Sequence, residues 1–196
     1  MSNLALTLIA QEKHGRLGLK GPRAGQWLAA QGVVVPMTPN TWTQSEGVSS
    51  GGNGPSAAGD LLVARLGAAE FFLEEGAAGT LLERIAPALD ARPPGVYPVL
   101  REDWALQLGG EGVHDVLAQV CNVNFASLAL DSRPLIMTLM IGVAVLVVPQ
   151  GAAGGGREGA GRQYRIWCDP TFGPYLSESL GAVVVECGGR YTGVSG

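Results

Sequence analysis

The chain has 196 residues, of which 46% are hydrophobic and only 15% are charged, and its formal net charge is −4. The 13 basic residues are scattered rather than clustered, which argues against a nucleic-acid-binding protein. So few charges favour a surface that is partly covered by a protein partner; an Ala- and Gly-rich chain of ordinary solubility is the alternative.

The cysteines do not have the spacing of a zinc site or of a disulfide framework. Cys121, Cys168 and Cys187 are far apart and no C-x-x-C is present. We therefore expect that no metal is bound and that the thiols are reduced, as in a cytoplasmic protein. Cys121 and Cys168 are expected to be small core residues. The N-terminus has no signal-peptide pattern, and the mainly apolar, uncharged run 135–148 is shorter than the roughly 20 residues that cross a bilayer. We expect no membrane segment.

The first part of the chain predicts strands, a helix and a long loop. Residues up to about Gln11 are predicted as an edge strand or a docking tail, and 16–20 alternate as a strand. Pro22 marks the start of a helix, where its missing N–H costs nothing. The stretch 33–42 is predicted as an ordered loop. Residues 44–59 are rich in Gly and Ser, and we expect a mobile surface loop there.

Two strands and a second helix are predicted next. Residues 61–66 and 70–74 indicate strands around a short turn. Thr80 and Glu83 have the spacing of a capping box, in which both side chains satisfy backbone N–H groups of the first helical turn. The helix that begins there is expected to bend or end at Pro87.

The following part of the chain contains the clearest helical pattern. Residues 104–108 alternate as a strand. The next apolar positions recur at i, i+3, i+4 and i+7, as an amphipathic helix requires: Val113, Val116, Leu117 and Val120. The β-branched run around Gly142 predicts two buried strands or a hairpin.

The C-terminal part predicts a loop, a strand, a helix and a last strand. Residues 151–161 are glycine-rich and are predicted as a second mobile loop, followed by a strand at 163–168. Pro174 opens a helix that Gly181 is expected to close. Three consecutive valines then predict a terminal strand at 183–185.

A similar pattern occurs twice along the chain. Leu17-Gly18-Leu19-Lys20-Gly21 and Leu106-Gln107-Leu108-Gly109-Gly110 each precede an amphipathic segment. The two copies begin at Leu17 and Leu106, and this separation is far longer than the roughly 20–50-residue period of solenoid repeats. We therefore expect an α+β fold in a single domain, 1–196, made of two pseudo-repeated halves at about 15–91 and 101–189 with a ferredoxin-like split βαβ pattern. A chance match of a short pattern is the alternative.

The familiar catalytic motifs do not match the sequence. A P-loop needs G-x-x-x-x-G-K-[ST], but the only lysines are Lys13 and Lys20. There is no G-x-S-x-G elbow for a nucleophilic serine, and His114 is predicted to be a solvated residue on the polar side of its helix. Glu74, Glu75 and Glu178 form no paired-carboxylate motif, so solvated positions are expected for them. We predict no catalytic residue.

Three stretches together resemble the gamma subunit of heterotetrameric sarcosine oxidase. They are YRIWCDPTFGPYL at 164–176, GVAVLVV at 142–148 and DWALQLG at 103–109 with the helix that follows. That subunit is related to the folate-binding domain of the glycine-cleavage T-protein, an aminomethyltransferase. The resemblance covers about 15–189, although the first half fits more loosely.

This resemblance implies an α+β fold of the aminomethyltransferase folate-binding type, with two pseudo-equivalent halves. It also implies an assembly that oxidatively demethylates sarcosine and passes the one-carbon unit to tetrahydrofolate. In that family the beta subunit carries flavin and oxidises the substrate, the alpha subunit carries NAD, and the gamma subunit is a small accessory member. The implied partners are alpha, beta and delta subunits, and a homo-oligomer is the alternative.

The sequence departs from the T-protein pattern at the expected folate site. T-proteins carry G-E-x-G-[FY]-E-[IVL], and the second glutamate lies near the pterin. Alignment on Ile166 places Arg165 there, which can only donate hydrogen bonds. The resemblance therefore implies Arg165, Trp167 as a stacking wall and Glu158 as candidate folate-binding residues. A structural ion pair or an interface contact is the alternative role for Arg165.

Three functional hypotheses follow. The first is a non-catalytic accessory subunit of a sarcosine-oxidase-like oxidoreductase, with no firmly bound cofactor and tetrahydrofolate as the implied ligand. The second is a stand-alone folate-binding protein or weak aminomethyltransferase. The third is a homodimer without an enzymatic role, since a fold does not by itself determine function.

Overall fold

The computed structural model describes residues 5–11, 14–45, 61–76, 79–151 and 162–193. The chain divides into two compact units. We call residues 14–101 the first unit, and residues 1–13 together with 102–196 the second unit. The N-terminal segment therefore belongs to the unit formed by the C-terminal half of the chain.

Strands and helices follow one another within the described residues. In chain order they are β1 (Thr7–Ala10), β2 (Gly15–Lys20), α1 (Ala24–Ala30), β3 (Thr41–Ser45), β4 (Leu61–Gly67), β5 (Glu70–Glu75), α2 (Leu81–Asp90), β6 (Tyr97–Val99), β7 (Trp104–Gly109), α3 (Val113–Val120), β8 (Ile136–Met140), β9 (Val143–Gln150), β10 (Gln163–Cys168), α4 (Gly173–Glu186) and β11 (Arg190–Thr192). Each copy of the repeated sequence pattern forms a strand followed by a helix, β2 with α1 and β7 with α3.

The first unit is built on an antiparallel sheet with the strand order β3-β4-β5-β2-β6. Helix α1 buries Ala24 and Leu28. They belong to a core of buried residues: Leu19, Ala24, Leu28, Val33, Leu61, Val63, Phe71, Leu73 and Val96. The first two residues of the predicted loop at 44–59 belong to β3, and 46–59 lie outside the described residues.

The loop that precedes β3 is ordered, as its sequence predicts. The Arg65 guanidinium donates hydrogen bonds to the carbonyl oxygens of Pro36 at 3.2 Å and Met37 at 2.6 Å. It also donates to the carbonyl oxygens of Gly67 and Ala68. One half-buried cationic group thus replaces the backbone pairing that this proline-containing loop cannot form.

Helix α2 begins where the sequence predicts, but the predicted capping box is wrong. Thr80 makes no side-chain cap hydrogen bond. The Glu75 carboxylate instead accepts the backbone N–H groups of Leu81 at 2.5 Å and Leu82 at 3.2 Å. The helix does not end at Pro87 but continues to Asp90.

The second unit is built on a sheet with the strand order β11-β1-β7-β10-β9-β8. Strands β1 and β11 are parallel, and all the other neighbours are antiparallel. Strand β1 lies between β11 and β7, so the predicted edge position is wrong. The core contains buried residues of α3, α4 and the sheet, among them Val116, Leu117, Leu176, Leu180, Leu106, Leu108, Val145, Val147, Tyr164 and Ile166.

The predicted strand at 183–185 is wrong, because these valines belong to α4. Val184 is fully buried in the core, and this burial outweighs the β-propensity of the three valines. Gly181 does not close the helix: a Cβ atom there would lie 2.8 Å from Cδ1 of Tyr191, so glycine lets β11 approach closely. The left-handed residue after the helix is Gly188, with φ of 80°.

The uncharged run forms the predicted hairpin. Strands β8 and β9 pair in antiparallel register around the turn Ile141-Gly142, whose φ angles are 49° and 80°. Positive φ at both turn residues matches the right-handed twist of the flanking strands. After Gly151, the predicted loop at 151–161 lies outside the described residues.

Candidate functional site

Strand β10 carries the residues that the sequence singles out, and it lies inside the sheet between β7 and β9. Its alternation directs Tyr164, Ile166 and Cys168 into the helix-covered core. Gln163, Arg165 and Trp167 lie on the opposite side of the sheet, which we call the second face.

The structure brings two of the three candidate residues together. The Cζ atom of Arg165 lies 5.3 Å from the ring centroid of Trp167, within the range of a cation–π contact. Trp167 is only 1% exposed, whereas Arg165 is half-buried. The guanidinium therefore covers one face of the indole that was expected to act as a stacking wall. Glu158, the third candidate, lies outside the described residues.

A ladder of three glutamines crosses the second face beside Arg165. Nε2 of Gln11 donates a hydrogen bond to Oε1 of Gln107 at 3.0 Å. Nε2 of Gln107 in turn donates to Oε1 of Gln163 at 2.9 Å. Because both bonds run from Gln11 toward Gln163, the ladder ends in the side-chain carbonyl oxygen of Gln11 on one side and the side-chain amide NH₂ of Gln163 on the other. Gln163 is two residues from Arg165. The sequence analysis missed this ladder, although Gln107 and Gln163 occupy the polar positions of alternating strands.

The second face therefore has a donor-rich region on β10. The guanidinium of Arg165 and the amide of Gln163 can both donate to a carboxylate or carbonyl oxygen. On the neighbouring strand Val148, which is buried, pairs with Arg165, and Leu146 pairs with Trp167. Polar donors and apolar neighbours thus lie side by side on this face of the sheet.

On the core side of the sheet, His114 is half-buried rather than solvated as predicted. Its Nε2 atom lies 2.7 Å from the hydroxyl oxygen of Tyr164, which is fully buried. Burial lowers the pKa of His114, the positive charge of Arg162 lowers it further, and Asp115 opposes this change. Burial also raises the pKa of Tyr164. At neutral pH the imidazole therefore stays uncharged and can share one hydrogen bond with the phenol.

The thiol of Cys168 is not an activated nucleophile. Cys121 and Cys168 are buried, as predicted, and Cys187 is exposed; none is in a disulfide. Burial, together with the carboxylates of Asp103 and Asp169, raises the pKa of Cys168 to about 11. Its thiol is therefore protonated at neutral pH, which suits a packing role.

Two carboxylates of β5 are buried, contrary to the prediction that they are solvated. Glu74 is 1% exposed, and its Oε2 lies 2.5 Å from Nε of Arg16 in an ion pair. Nδ1 of His14 lies 3.8 Å from the other carboxylate oxygen. Glu75 caps α2. Residues 71–75 of β5 are all buried, so side chains on both faces of this strand leave the solvent. These charges have structural partners within the first unit.

Within the described ranges, no cluster of three or more His, Cys, Asp or Glu side chains could hold a metal ion. In the same part of the chain, no helix has the length and apolarity needed to cross a membrane.

The fold has counterparts among solved structures, although no protein-family model and no curated protein matches the sequence. One is the glycine cleavage system aminomethyltransferase T from Bartonella henselae, with a TM-score of 0.66 and 16% identity over 98% of this chain. This chain spans about half of that protein, covering 48% of its length.

Another counterpart is a chain of the heterotetrameric sarcosine oxidase from Corynebacterium sp. U-96, whose structure contains pyrrole 2-carboxylate. The TM-score is 0.67 and the identity is 23%, over 95% of this chain and 87% of that chain. At these identities the similarity establishes the fold alone. The chain therefore has the α+β fold of aminomethyltransferase-type proteins, the fold that its sequence resemblance implies.

Proposed function

We propose that this chain is a non-catalytic accessory subunit, of the gamma type, in a sarcosine-oxidase-like assembly. Such an assembly oxidatively demethylates sarcosine and passes the one-carbon unit to tetrahydrofolate. The observation that carries the proposal is the match to a chain of heterotetrameric sarcosine oxidase over 95% of this chain and 87% of that one. The match therefore spans nearly all of this chain and most of that one. The aminomethyltransferase match covers only 48% of that enzyme.

The chemistry of the second face supports an accessory role. Arg165 replaces the glutamate that the resemblance implies for pterin binding, and its guanidinium packs on the buried indole of Trp167. The buried carboxylates Glu74 and Glu75 are engaged by an ion pair and by a helix cap. These two carboxylates have structural roles, so in this proposal the oxidation and its cofactors belong to the partner subunits.

The proposed partners are alpha-, beta- and delta-type subunits, and the proposed location is the cytoplasm. The low charge content supports extensive protein contact, because interface centres are poor in charged residues.

Co-expression with alpha-, beta- and delta-type subunits of a sarcosine oxidase tests the proposal. An affinity tag on this chain should co-purify the others in a fixed stoichiometry, measured by light scattering after gel filtration. Sarcosine-dependent oxygen consumption should require the complex and be absent from this chain alone. If the other subunits assemble and this chain stays free, the proposal is wrong.

A second candidate function is tetrahydrofolate binding by the chain itself. The donor-rich region formed by Arg165 and Gln163 favours it, because folates carry carbonyl and carboxylate acceptors. Isothermal titration of the purified chain with tetrahydrofolate should then show binding.

In that case Arg165→Met should weaken binding at least about tenfold, since a charge-assisted hydrogen bond contributes roughly 1.5–3 kcal/mol. The control is Arg84→Met, at an exposed position in α2 of the first unit, which should leave the affinity unchanged. No heat at millimolar tetrahydrofolate would exclude this second function.

A further inference from the structure

The hairpin β8–β9 presents an apolar surface at one edge of the six-stranded sheet. On the second face Met137 pairs with Leu146, and Leu139 pairs with Ala144. These four side chains form a two-by-two group that we call the hairpin array. Met137 is 56% exposed and Leu139 is 61% exposed, and Ala144 is also exposed.

The sequence of strand β8 lacks the features that normally protect an edge strand, although its last residue, Met140, forms an isolated bridge with Cys121. Native edge strands carry charges, prolines or bulges that discourage association with other proteins. Strand β8 has none of these, because its sequence is Ile-Met-Thr-Leu-Met and its register with β9 is unbroken. The whole run 135–148 is uncharged. Contiguous exposed apolar side chains of this kind mark interaction sites.

We propose that the hairpin array is the docking surface for an uncharged, apolar segment of a larger subunit of the complex. This inference rests on the proposed function, and it identifies the surface of the chain that its partner covers.

The absence of charge indicates the chemistry of the docked segment. Arg165 is the one charged residue of strands β8, β9 and β10, and it lies on β10, two strands in from the edge. A partner that covers the array therefore removes water from no charged group of these strands. A charged segment of the partner would lose its own hydration without gaining an ion pair with the array. Methionine is enriched in protein interfaces, and its flexible side chain adapts to the partner.

The size of the array favours a large partner over a second copy of this chain. A stable interface involves about 20–30 residues on each side. Four side chains are far fewer, so two copies that met on the array alone would not remain associated. A larger subunit can cover the array and the surface around it, with the array at the apolar centre of the contact.

The array is also rigidly presented, which lowers the entropic cost of docking. Its backbone is a paired hairpin, closed by a two-residue turn and joined to β10 along the full length of that strand. Met137, Leu146 and Trp167 lie in register across three adjacent strands, so the exposed end of this row is supported by a buried indole. Pre-organised surfaces lose less conformational freedom on binding.

The test is Met137→Glu in the co-expressed complex, with Met37→Glu as the matched control. Both methionines are exposed, Met37 at 89%, but Met37 lies in the Arg65-bound loop of the first unit. We expect Met137→Glu to weaken association about 30-fold, which corresponds to about 2 kcal/mol. Leu139→Lys, with the opposite charge, should act in the same way. Thermal unfolding of each isolated variant should match the wild-type chain.

The outcomes separate the two proposals. If the wild-type complex forms and both array variants bind as tightly as the wild type, the docking surface is wrong and the accessory function stands. If Met37→Glu weakens association as much as Met137→Glu, the array has no special role and the inference fails. If no wild-type complex forms, both proposals fail. A wild-type homodimer that Met137→Glu dissociates would show that a second copy is the occupant, which overturns the assignment.

Discussion

At the scale of single residues, the structure wholly or partly buries polar groups that the sequence predicts to be exposed, among them Glu74 and His114. The Arg16–Glu74 pair and the His114–Tyr164 pair are each formed across adjacent elements of one unit. A buried polar group is costly unless it is hydrogen-bonded, so each pair depends on both of its members. The contribution of the His114–Tyr164 pair to the stability of the fold should also depend on pH.

We predict that protonation of His114 destabilises the fold. Its pKa is lowered from 6.5 in the folded chain, mainly by burial, so the unfolded chain binds the proton more tightly. The contribution of His114 is then complete above pH 6.5 and is lost as the pH falls through 6.5 toward the lowered value. The variant His114→Gln can keep a hydrogen bond to Tyr164 but does not titrate.

Urea unfolding at pH 7.5, 6.5 and 5.5 measures this effect. The free energy of unfolding should fall more steeply with acidification in the wild type than in His114→Gln. All other groups are the same in both proteins, so their contributions cancel in the comparison. Parallel curves for the two proteins would show that His114 is not a source of acid sensitivity.

At the scale of elements, helix α2 shows how a distant residue can replace a local signal. The predicted cap used Thr80 and Glu83, but the first-turn N–H groups bond to Glu75, which is buried at the end of β5. A Cβ atom at Gly79 would clash with Cγ of Glu75, so glycine makes room for this side chain. The cap thus depends on the position of the end of β5 relative to the start of α2.

We predict that Glu75→Ala lowers the free energy of unfolding by about 1–2 kcal/mol, the typical upper range for loss of a helix cap. Thr80→Ala and Glu83→Ala should each change it by less than about 0.5 kcal/mol, as surface substitutions usually do. Urea denaturation of the three variants measures the differences. Equal losses for Glu75→Ala and Thr80→Ala would contradict the cap that the structure shows.

The elements that the sequence predicted correctly are those with local causes. Apolar alternation located β7 and β10, helical periodicity located α3, and the glycine turn located the β8–β9 hairpin. The errors depended on partners distant in sequence. The valines at 183–185 are helical because α4 is buried against the sheet, and β1 is internal because β11 pairs with its free side.

In the candidate site, too, features with local causes could be predicted and features that depend on distant partners could not. That Arg165 and Trp167 lie together could be predicted, because alternation places residues two apart on one face of a strand. Their role in folate binding stays a prediction that comes from the family resemblance. The glutamine ladder joins β10 to β7 and to the residue after β1, so it depends on the strand order. Strand order is not encoded in any one segment, and the ladder therefore could not be found from local patterns.

At the scale of the whole molecule, the division into two units gives the N-terminal segment a specific role. Strand β1 pairs with β7 over Thr7–Ala10 and with β11 over Thr7–Ile9. Leu8 is fully buried in the core of the second unit, and the N–H of Arg190 donates to the carbonyl oxygen of Leu6. The first residues of the chain therefore complete a sheet that the rest of that unit leaves open between β11 and β7.

We predict that deletion of residues 1–11 destabilises the second unit selectively. Without β1 the backbone groups along one edge of β7 lose their partners, and β11 loses its neighbouring strand. Native-state hydrogen exchange should show protection falling in β7, β10 and β11. Protection in β2 and β5 should be retained, because these strands pair only within the first unit. Deletion of residues 1–4 alone, which precede these pairings, is the control and should change neither unit. Equal loss of protection in both units would mean that they unfold together and that β1 does not stabilise the second unit selectively.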